Sequence, residues 1–287
     1  MRTETLKKIG IYILMIVLGA LFLFPILWMI SGSLKVESQL YANLDKFSTF
    51  LPLPFTIENY TSMFARVPFG RYMFNSIFIV GSTVIGGLFV NSLAGYALAR
   101  LKFPGRNLLF SVIVALIIVP FEVIFLPLFL VVNNLGWVNT YFALIIPFIA
   151  NPFSIFLFTQ FFSDLPKSVE EAAYVDGAGF WRVYFQIIIP LSKPVFATVA
   201  ILTGLFQWSR FLWPLVATTD AKYRPLAVGL QAFFTQPPLH WGQILAYSTL
   251  TTLPILVVFL GFQKESILQQ ALWPAKGVEG SGKGYGC

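Results

Sequence analysis

Charged residues are scarce in this chain: they make up 11% of its 287 residues, against roughly 25% in a soluble globular protein. Histidine and cysteine each occur once. The cysteine, Cys287, is the last residue, so an intrachain disulfide is excluded and a cysteine-rich metal site is not supported. The histidine, His240, lies beside two prolines and suits a structural role better than catalysis. No H-E-x-x-H or G-x-S-x-G motif supports an intramembrane hydrolase.

Apolar residues dominate instead, at 57% of the chain with a mean hydropathy of +0.78. A helix that crosses a bilayer needs about 20 mostly apolar residues, and the apolar runs here are continuous rather than alternating. We therefore expect an all-α, polytopic membrane protein with six transmembrane helices. The predicted spans are Ile9–Ile30, Tyr72–Ala99, Leu108–Val132, Tyr141–Phe162, Val195–Val216 and Ile244–Phe262.

The distribution of basic residues predicts the orientation of these spans. The first run follows Arg2, Lys7 and Lys8 but is too long for a signal peptide and lacks a small-x-small cleavage site, which predicts an uncleaved anchor. If the N-terminus is cytoplasmic, most of the 19 Lys and Arg residues fall on the cytoplasmic side. Both termini are therefore expected in the cytoplasm. The net charge of +7 follows from this topology, and no nucleic-acid partner is indicated.

A polar segment between two apolar runs predicts a compact helix-turn-helix. Ser168 and Glu171 fit a capping box just after Pro166, which favours a helix that starts there. Gly177 and Gly179 permit a sharp turn. The next helix is predicted from apolar residues at helical spacing, with its end at Pro190. These apolar residues are Phe180, Val183, Tyr184 and Ile187.

The residues of this segment also resemble a known family. Glu171-Ala172-Ala173 is followed after three residues by Gly177 and after nine more by Ile-x-Ile-Pro. This pattern resembles the EAA motif, the cytoplasmic coupling loop of permease subunits in ATP-binding-cassette (ABC) importers. Residues 94–106 and 208–215 are similar to carbohydrate-type permeases, the group with the maltose and glycerol-phosphate systems.

The resemblance implies a type I ABC importer permease that forms a single transmembrane domain over residues 1–287, with an outer loop at 31–71 and a coupling loop at 163–194. It implies a heterodimer with a second permease, two cytoplasmic ATPase subunits that bind ATP and Mg²⁺, and an extracytoplasmic solute-binding protein, in a prokaryotic inner membrane. The chain itself would hold no cofactor or metal, and its cargo would be a sugar or similar polar solute. The expected ATPase-docking residues are Glu170, Glu171, Ala172, Ala173, Asp176 and Gly177.

Two charged residues interrupt the predicted spans. Glu122 and Arg210 lie about 21 and 22 Å from the starts of their predicted spans, and the two helices run in the same direction. Because an isolated charge in a membrane is costly, we expect these two to form an ion pair or to line the solute path. An alternative is that Arg210 reaches the outer interface while Glu122 contacts a water-filled cavity.

Small residues recur every four positions in the second span, at Ser82 and Gly86 and again at Gly87, Asn91 and Gly95. Such stripes favour close helix packing, although a channel-lining Asn91 remains open. Pro120 and Pro127 predict a kink in the third span. The alternative functions are an ion-coupled secondary transporter, which would need midplane ionisable groups and an internal repeat, and a non-transporting scaffold protein.

Overall fold

The structure, a computed structural model, describes residues 2–41, 51–257 and 261. Within these ranges it is all-α, as predicted, with no strand beyond an isolated bridge between Lys35 and Phe55. The helices are α1 Arg2–Ser33, α2 Glu37–Leu40, α3 Glu58–Arg66, α4 Phe69–Arg100, α5 Arg106–Ile118, α6 Phe121–Asn134, α7 Tyr141–Ile149, α8 Pro152–Asp164, α9 Lys167–Val175, α10 Phe180–Val183, a π-helical segment Tyr184–Ile188, α11 Ile189–Leu191, α12 Lys193–Trp208, α13 Leu212–Ala217, α14 Leu226–Gly229, α15 Gln231–Thr235 and α16 at 241–257.

The chain divides into two compact units, Met1–Val67 with Ala232–Cys287 and Pro68–Gln231. The single domain over residues 1–287 stays a prediction. In the first unit, the buried Asn59 of α3 donates from its amide to the backbone carbonyls of Ser33 and Lys35, at 2.9 and 2.7 Å. The Glu37 carboxylate accepts from the backbone N–H groups of Trp241 and Gly242 at the start of α16. The described part of the predicted outer loop thus folds into short helices.

The second unit is built around α4, which packs against α7, α8 and α12. One apolar cluster near the C-terminal half of α4 includes Tyr96, Phe158 and Phe162. A second cluster near its N-terminal half surrounds the fully buried Trp213, whose indole N–H donates to the carbonyl of Ala143 at 2.8 Å. The long helix α4 therefore connects the two ends of this unit.

Among the described residues, three helical segments can cross a membrane by length and composition alone: Lys7–Ser33, Phe69–Arg100 and Tyr141–Asp164. Two bent helix pairs raise the number to as many as five if each pair is one span. The sixth predicted span, Ile244–Phe262, is helical through residue 257 and then extends beyond the continuously described residues. The count of six spans therefore stays a prediction.

The third and fifth predicted spans are wrong as continuous helices. Leu108–Val132 is interrupted at Pro120, where α5 and α6 meet at 103° rather than at a mild kink. Proline lacks a backbone N–H and disfavours helical geometry in the residue before it, and Val119 is indeed extended. Val195–Val216 ends early, because α12 stops at Trp208. A continuous helix there would bring the Pro214 ring against the carbonyl of residue 210.

The small-residue stripe of α4 serves helix packing, as predicted. A Cβ added at Gly95 would lie 2.5 Å from the Cβ of Phe158 in α8 and 3.0 Å from the next backbone nitrogen. Asn91 bridges the break between α7 and α8: its amide donates to the Ile149 carbonyl and accepts from the Asn151 N–H, both at 2.9 Å. This bridging gives Asn91 a structural role at the end of α7.

Candidate functional site: the loop between α8 and α12

The predicted helix-turn-helix is present between α8 and α12. Helix α9 begins at Lys167 and is followed by a turn and then by α10, which begins at Phe180. The predicted capping box is wrong: Pro166 occupies the N-cap position, and no side chain caps the helix. Because Leu165 and Pro166 are extended, the helix starts one residue before Ser168, which places that hydroxyl inside the first turn.

The turn after α9 is a Schellman motif, in which a left-handed residue ends the helix. Gly177 has φ +80°, a conformation that suits glycine because it has no Cβ. Its N–H donates to the carbonyl of Tyr174, and the N–H of Ala178 donates to that of Ala173, at 3.0 and 2.9 Å. The predicted turn at Gly177 is therefore confirmed by its hydrogen bonds.

The inner face of the second helix packs on the transmembrane helices. Val183 and Tyr184 are buried in the cluster around Tyr96, and the Tyr184 hydroxyl lies 2.6 Å from the Ser92 Oγ of α4. The fourth predicted apolar position, Ile187, is only partly buried, whereas Ile188 is fully buried. The π-helical turn explains this shift, since it inserts one extra residue and moves the apolar face by one position.

An ion pair joins the loop to the end of α4. The Glu170 Oε1 lies 2.7 Å from the Arg100 Nε, in a geometry outside that of a hydrogen bond, and these side chains are only 9% and 6% exposed. The Tyr96 hydroxyl donates to the other Glu170 oxygen at 2.9 Å, and an Arg100 Nη donates to the Leu165 carbonyl at 2.6 Å. These contacts join α9 to α4 through buried polar groups.

The placement of Glu170 corrects one predicted docking residue. Its carboxylate points inward to Arg100 and Tyr96, so it holds the loop in place rather than facing a partner. Sequence reasoning missed both partners, although Tyr96 and Arg100 lie in the stretch that resembles carbohydrate-type permeases. Ala173 is half-buried against the inner cluster, so it too contributes to packing.

The outer face of the loop carries the remaining predicted docking residues. Glu171, Ala172, Asp176 and Gly177 are all exposed. Apolar side chains that sequence reasoning missed flank them: Val175 is 87% exposed and Trp181 is 57% exposed. The sequence signal for Val175 and Trp181 was weak, because both residues fall outside the apolar spacing of their helices. Together these side chains form a small, mixed acidic and apolar surface.

The predicted ion pair between Glu122 and Arg210 is wrong. Both residues lie in the described part of the chain, yet no salt bridge joins them. The Arg210 Nε donates to the Gln207 Oε1 at 3.0 Å, and its guanidinium lies 3.8 Å from the centre of the Phe148 ring. Glu122 is exposed in the first turn of α6. The break after α12 and the bend at Pro120 redirect these side chains, which straight helices would have placed at equal depth.

Comparison with known proteins agrees with this arrangement. Residues 87–264 match the family described as "Binding-protein-dependent transport system inner membrane component". The chain belongs to this family. This permease is 33% identical over 274 residues to the arabinooligosaccharides transport system permease AraQ of Bacillus subtilis, covering 94% of this chain and 96% of AraQ. It is 34% identical to the trehalose/maltose permease MalG of Thermococcus litoralis, covering 92% and 95%.

The fold of the permease is also found in a solved structure. A bacterial ABC transporter involved in the import of the acidic polysaccharide alginate contains a chain that matches with a TM-score of 0.79 and 23% identity, covering 92% of this chain and 98% of that one. The permease is thus a multi-pass membrane subunit of an ABC importer, and ATP hydrolysis takes place in partner subunits. Within the described residues, no cluster of His, Cys, Asp and Glu suits a metal ion.

Proposed function

We propose that this permease moves a sugar or similar polar solute inward and that its helix-turn-helix at 167–191 is the docking site for an ATPase subunit. The importer would contain a second permease, two ATPase subunits that bind ATP and Mg²⁺, and an extracytoplasmic binding protein. Both termini of the chain would lie in the cytoplasm, on the same side as this loop. The permeases for arabino-oligosaccharides and for trehalose or maltose support a carbohydrate as cargo.

The docking proposal rests on one observation. The inner face of the loop is attached to α4 by buried contacts, whereas its outer face is exposed. The buried contacts of Glu170 and Tyr184 attach the loop to α4. The outer residues Glu171 and Asp176 make no salt bridge within the described chain, and Ala172 is exposed as well. A loop that only connected two spans would not need both a buried ion pair on one side and exposed apolar side chains on the other.

The chemistry of the outer face indicates what its partner offers. The short side chain of Ala172 permits close approach of another backbone, while Glu171 and Asp176 favour basic groups opposite them. The exposed Val175 and Trp181 would be buried in an apolar pocket, where such residues contribute most to binding. We therefore expect a partner groove that is apolar at its centre and basic at its rim.

The attachment of the loop to α4 would transmit the movement of the ATPase subunits to the membrane helices. When ATP closes the two ATPase subunits, the docked helix α9 would move with its partner. The contact of Glu170 with Arg100 would pass that displacement to α4, because buried, paired charges resist separation more strongly than exposed ones. Helix α4 in turn packs on α7, α8 and α12, so the movement reaches the rest of this unit.

Docking can be tested with Ala172→Trp, which fills the exposed face without entering the core. We expect the purified permease to lose its ATPase subunit and the membranes to lose solute uptake, while the amount of permease in the membrane stays normal. A matched pair tests the turn: Gly177→Ala forces a Cβ into the left-handed region, whereas Gly179→Ala meets open space at φ −79°. Only the first should weaken ATPase retention.

Normal retention of the ATPase subunit by both Ala172→Trp and Gly177→Ala would contradict the docking proposal. The cargo needs a separate experiment, since the exposed loop says nothing about it. Titration calorimetry of the partner binding protein against a panel of mono- and oligosaccharides should identify a ligand, and that ligand should stimulate ATP hydrolysis in the reconstituted importer. Failure of every sugar, with stimulation by a solute of another class, would contradict a carbohydrate cargo.

A further inference from the structure

A basic pocket lies where the α4–α5 connection meets the start of α9. It has a volume of about 480 Å³. Its wall includes Lys102, Phe103, Arg106 and Asn107 from the connection and the first turn of α5, and Lys167 from the first turn of α9. Two loops that are far apart in sequence therefore share one pocket on the same side of the membrane helices.

The charge of this pocket is uniformly positive. Lys102, Arg106 and Lys167 line it, and among the described residues no acidic side chain does. In the described part of the chain, the Arg106 side chain makes two long contacts, to the Leu101 carbonyl and the Asn107 side chain, both at 3.5 Å. Across the described residues, no salt bridge joins these cations to an acid, including Asp164 and Glu171 on either side of Lys167. Three cations around one cavity favour an anionic ligand.

The backbone of the pocket also favours an anionic ligand. Gly105, at φ +80°, is the N-cap of α5, and no side chain caps this helix. The N–H of Arg106 donates to the Phe103 carbonyl at 3.4 Å, but no side chain caps the first turn of α5, and the positive end of the helix dipole lies at the edge of the pocket. This contribution is secondary to the three side chains, but it has the same sign.

The position of the pocket identifies the kind of anion. It lies between the end of α4, a helix long and apolar enough to cross a membrane, and the start of the apolar helix α5. Apolar side chains continue along α5 directly from the pocket: Leu108 is 71% exposed, Leu109 48% and Val112 47%. A ligand with a phosphate at one end and acyl chains at the other matches both surfaces at once.

We propose that this pocket binds the headgroup of an anionic phospholipid. The phosphate contacts Lys102, Arg106 and Lys167, and an acyl chain lies along the exposed apolar face of α5. Basic pockets between membrane helices on the cytoplasmic side are suited to anionic headgroups, with each Lys or Arg adding a comparable increment of binding. Because Lys167 is the first residue of α9, a bound lipid also links the α4–α5 connection to the start of the helix-turn-helix.

The test uses the full-length permease, purified in detergent with the subunits that accompany it. Native mass spectrometry would measure retention of palmitoyl-oleoyl phosphatidylglycerol, with the zwitterionic phosphatidylcholine of the same chains as the reference. Each single change among Lys102→Gln, Arg106→Gln and Lys167→Gln should weaken phosphatidylglycerol binding about fivefold, and the triple variant on the order of 100-fold. Phosphatidylcholine retention should not change.

Two variants control for charge and for folding. Lys193→Gln removes an exposed basic residue at the start of α12, outside the pocket, and should retain the lipid fully. The charge-preserving triple of Lys102→Arg, Arg106→Lys and Lys167→Arg should also retain it. Equal phosphatidylglycerol retention by the wild type and the triple Gln variant would overturn the proposal. So would displacement of the lipid by millimolar inorganic phosphate with no dependence on acyl chains, because the site would then be one for free phosphate.

Discussion

The buried ion pair between Glu170 and Arg100 allows a sharp prediction, because the next residue is its natural control. Glu170 and Glu171 have the same side chain, but Glu170 is buried against Arg100 and Tyr96 while Glu171 is exposed. Glu170→Gln keeps an oxygen that can accept from the Tyr96 hydroxyl, but it removes the negative charge and places an amide NH₂ group beside Arg100. Arg100 would then be a buried cation without its counter-charge.

The expected cost follows from the exposure of the two side chains, 6% and 9%. Removal of one member of a buried ion pair costs about 3–5 kcal/mol, and the retained hydrogen bond to Tyr96 favours the lower end, about 3 kcal/mol. Glu171→Gln changes an exposed side chain and should stay within about 0.5 kcal/mol of the wild type. In the double variant Arg100→Gln with Glu170→Gln no unpaired charge remains, so it should cost no more than either single variant.

The assay is denaturation of the purified permease by sodium dodecyl sulfate in mixed micelles, followed by tryptophan fluorescence. ATPase-subunit retention measured on the same samples gives a second readout. Glu171→Gln should weaken retention at unchanged stability, whereas Glu170→Gln should lower the free energy of unfolding. The prediction is refuted if both substitutions cost the same, or if the effects of Arg100→Gln and Glu170→Gln add without a coupling energy above about 0.5 kcal/mol.

Two further predictions concern the transmembrane helices. Gly95→Ala places a methyl group 2.5 Å from the Phe158 Cβ and should lower the free energy of unfolding by about 1–3 kcal/mol in the same denaturation assay. Gly81→Ala in the same helix meets open space and should leave the stability unchanged. Equal effects of the two variants would contradict the close packing of α4. Glu122→Gln and Arg210→Gln should have additive effects on stability, within about 0.5 kcal/mol, because no ion pair joins the two residues. A larger coupling energy would show that they do form an ion pair.

The helical part of this structure was largely predictable from local pattern. Continuous apolar runs indicate spanning helices, and α1 and α4 contain the runs predicted for the first two spans. Pro120 was correctly predicted to disturb the third span, but too weakly, because the backbone turns by 103° there, whereas α6 continues through Pro127 without a break. A sequence shows that a proline breaks hydrogen bonding, whereas the angle depends on which neighbouring helices receive the two halves.

In the candidate site, too, the local features were predictable from the sequence and the long-range contacts were not. The spacing from Glu171 to Gly177 predicted the turn and the exposed outer face, because both depend on residues a few positions apart. The inward position of Glu170 depends on Arg100, which is 70 positions away in sequence. Helical periodicity shows which neighbouring residues share a face, but it does not show what that face contacts.

The sequence by itself therefore determined the class of this protein, its apolar helices and the place of its helix-turn-helix, since these follow from composition and short-range spacing. Only the tertiary structure decided which glutamate is locked to α4, that Arg210 contacts Gln207 and Phe148 rather than Glu122, and that Lys102 and Lys167 share a pocket. The physical reason is that burial, ion pairing and shared cavities depend on distances between residues far apart in the chain, and the packing of the helices sets those distances.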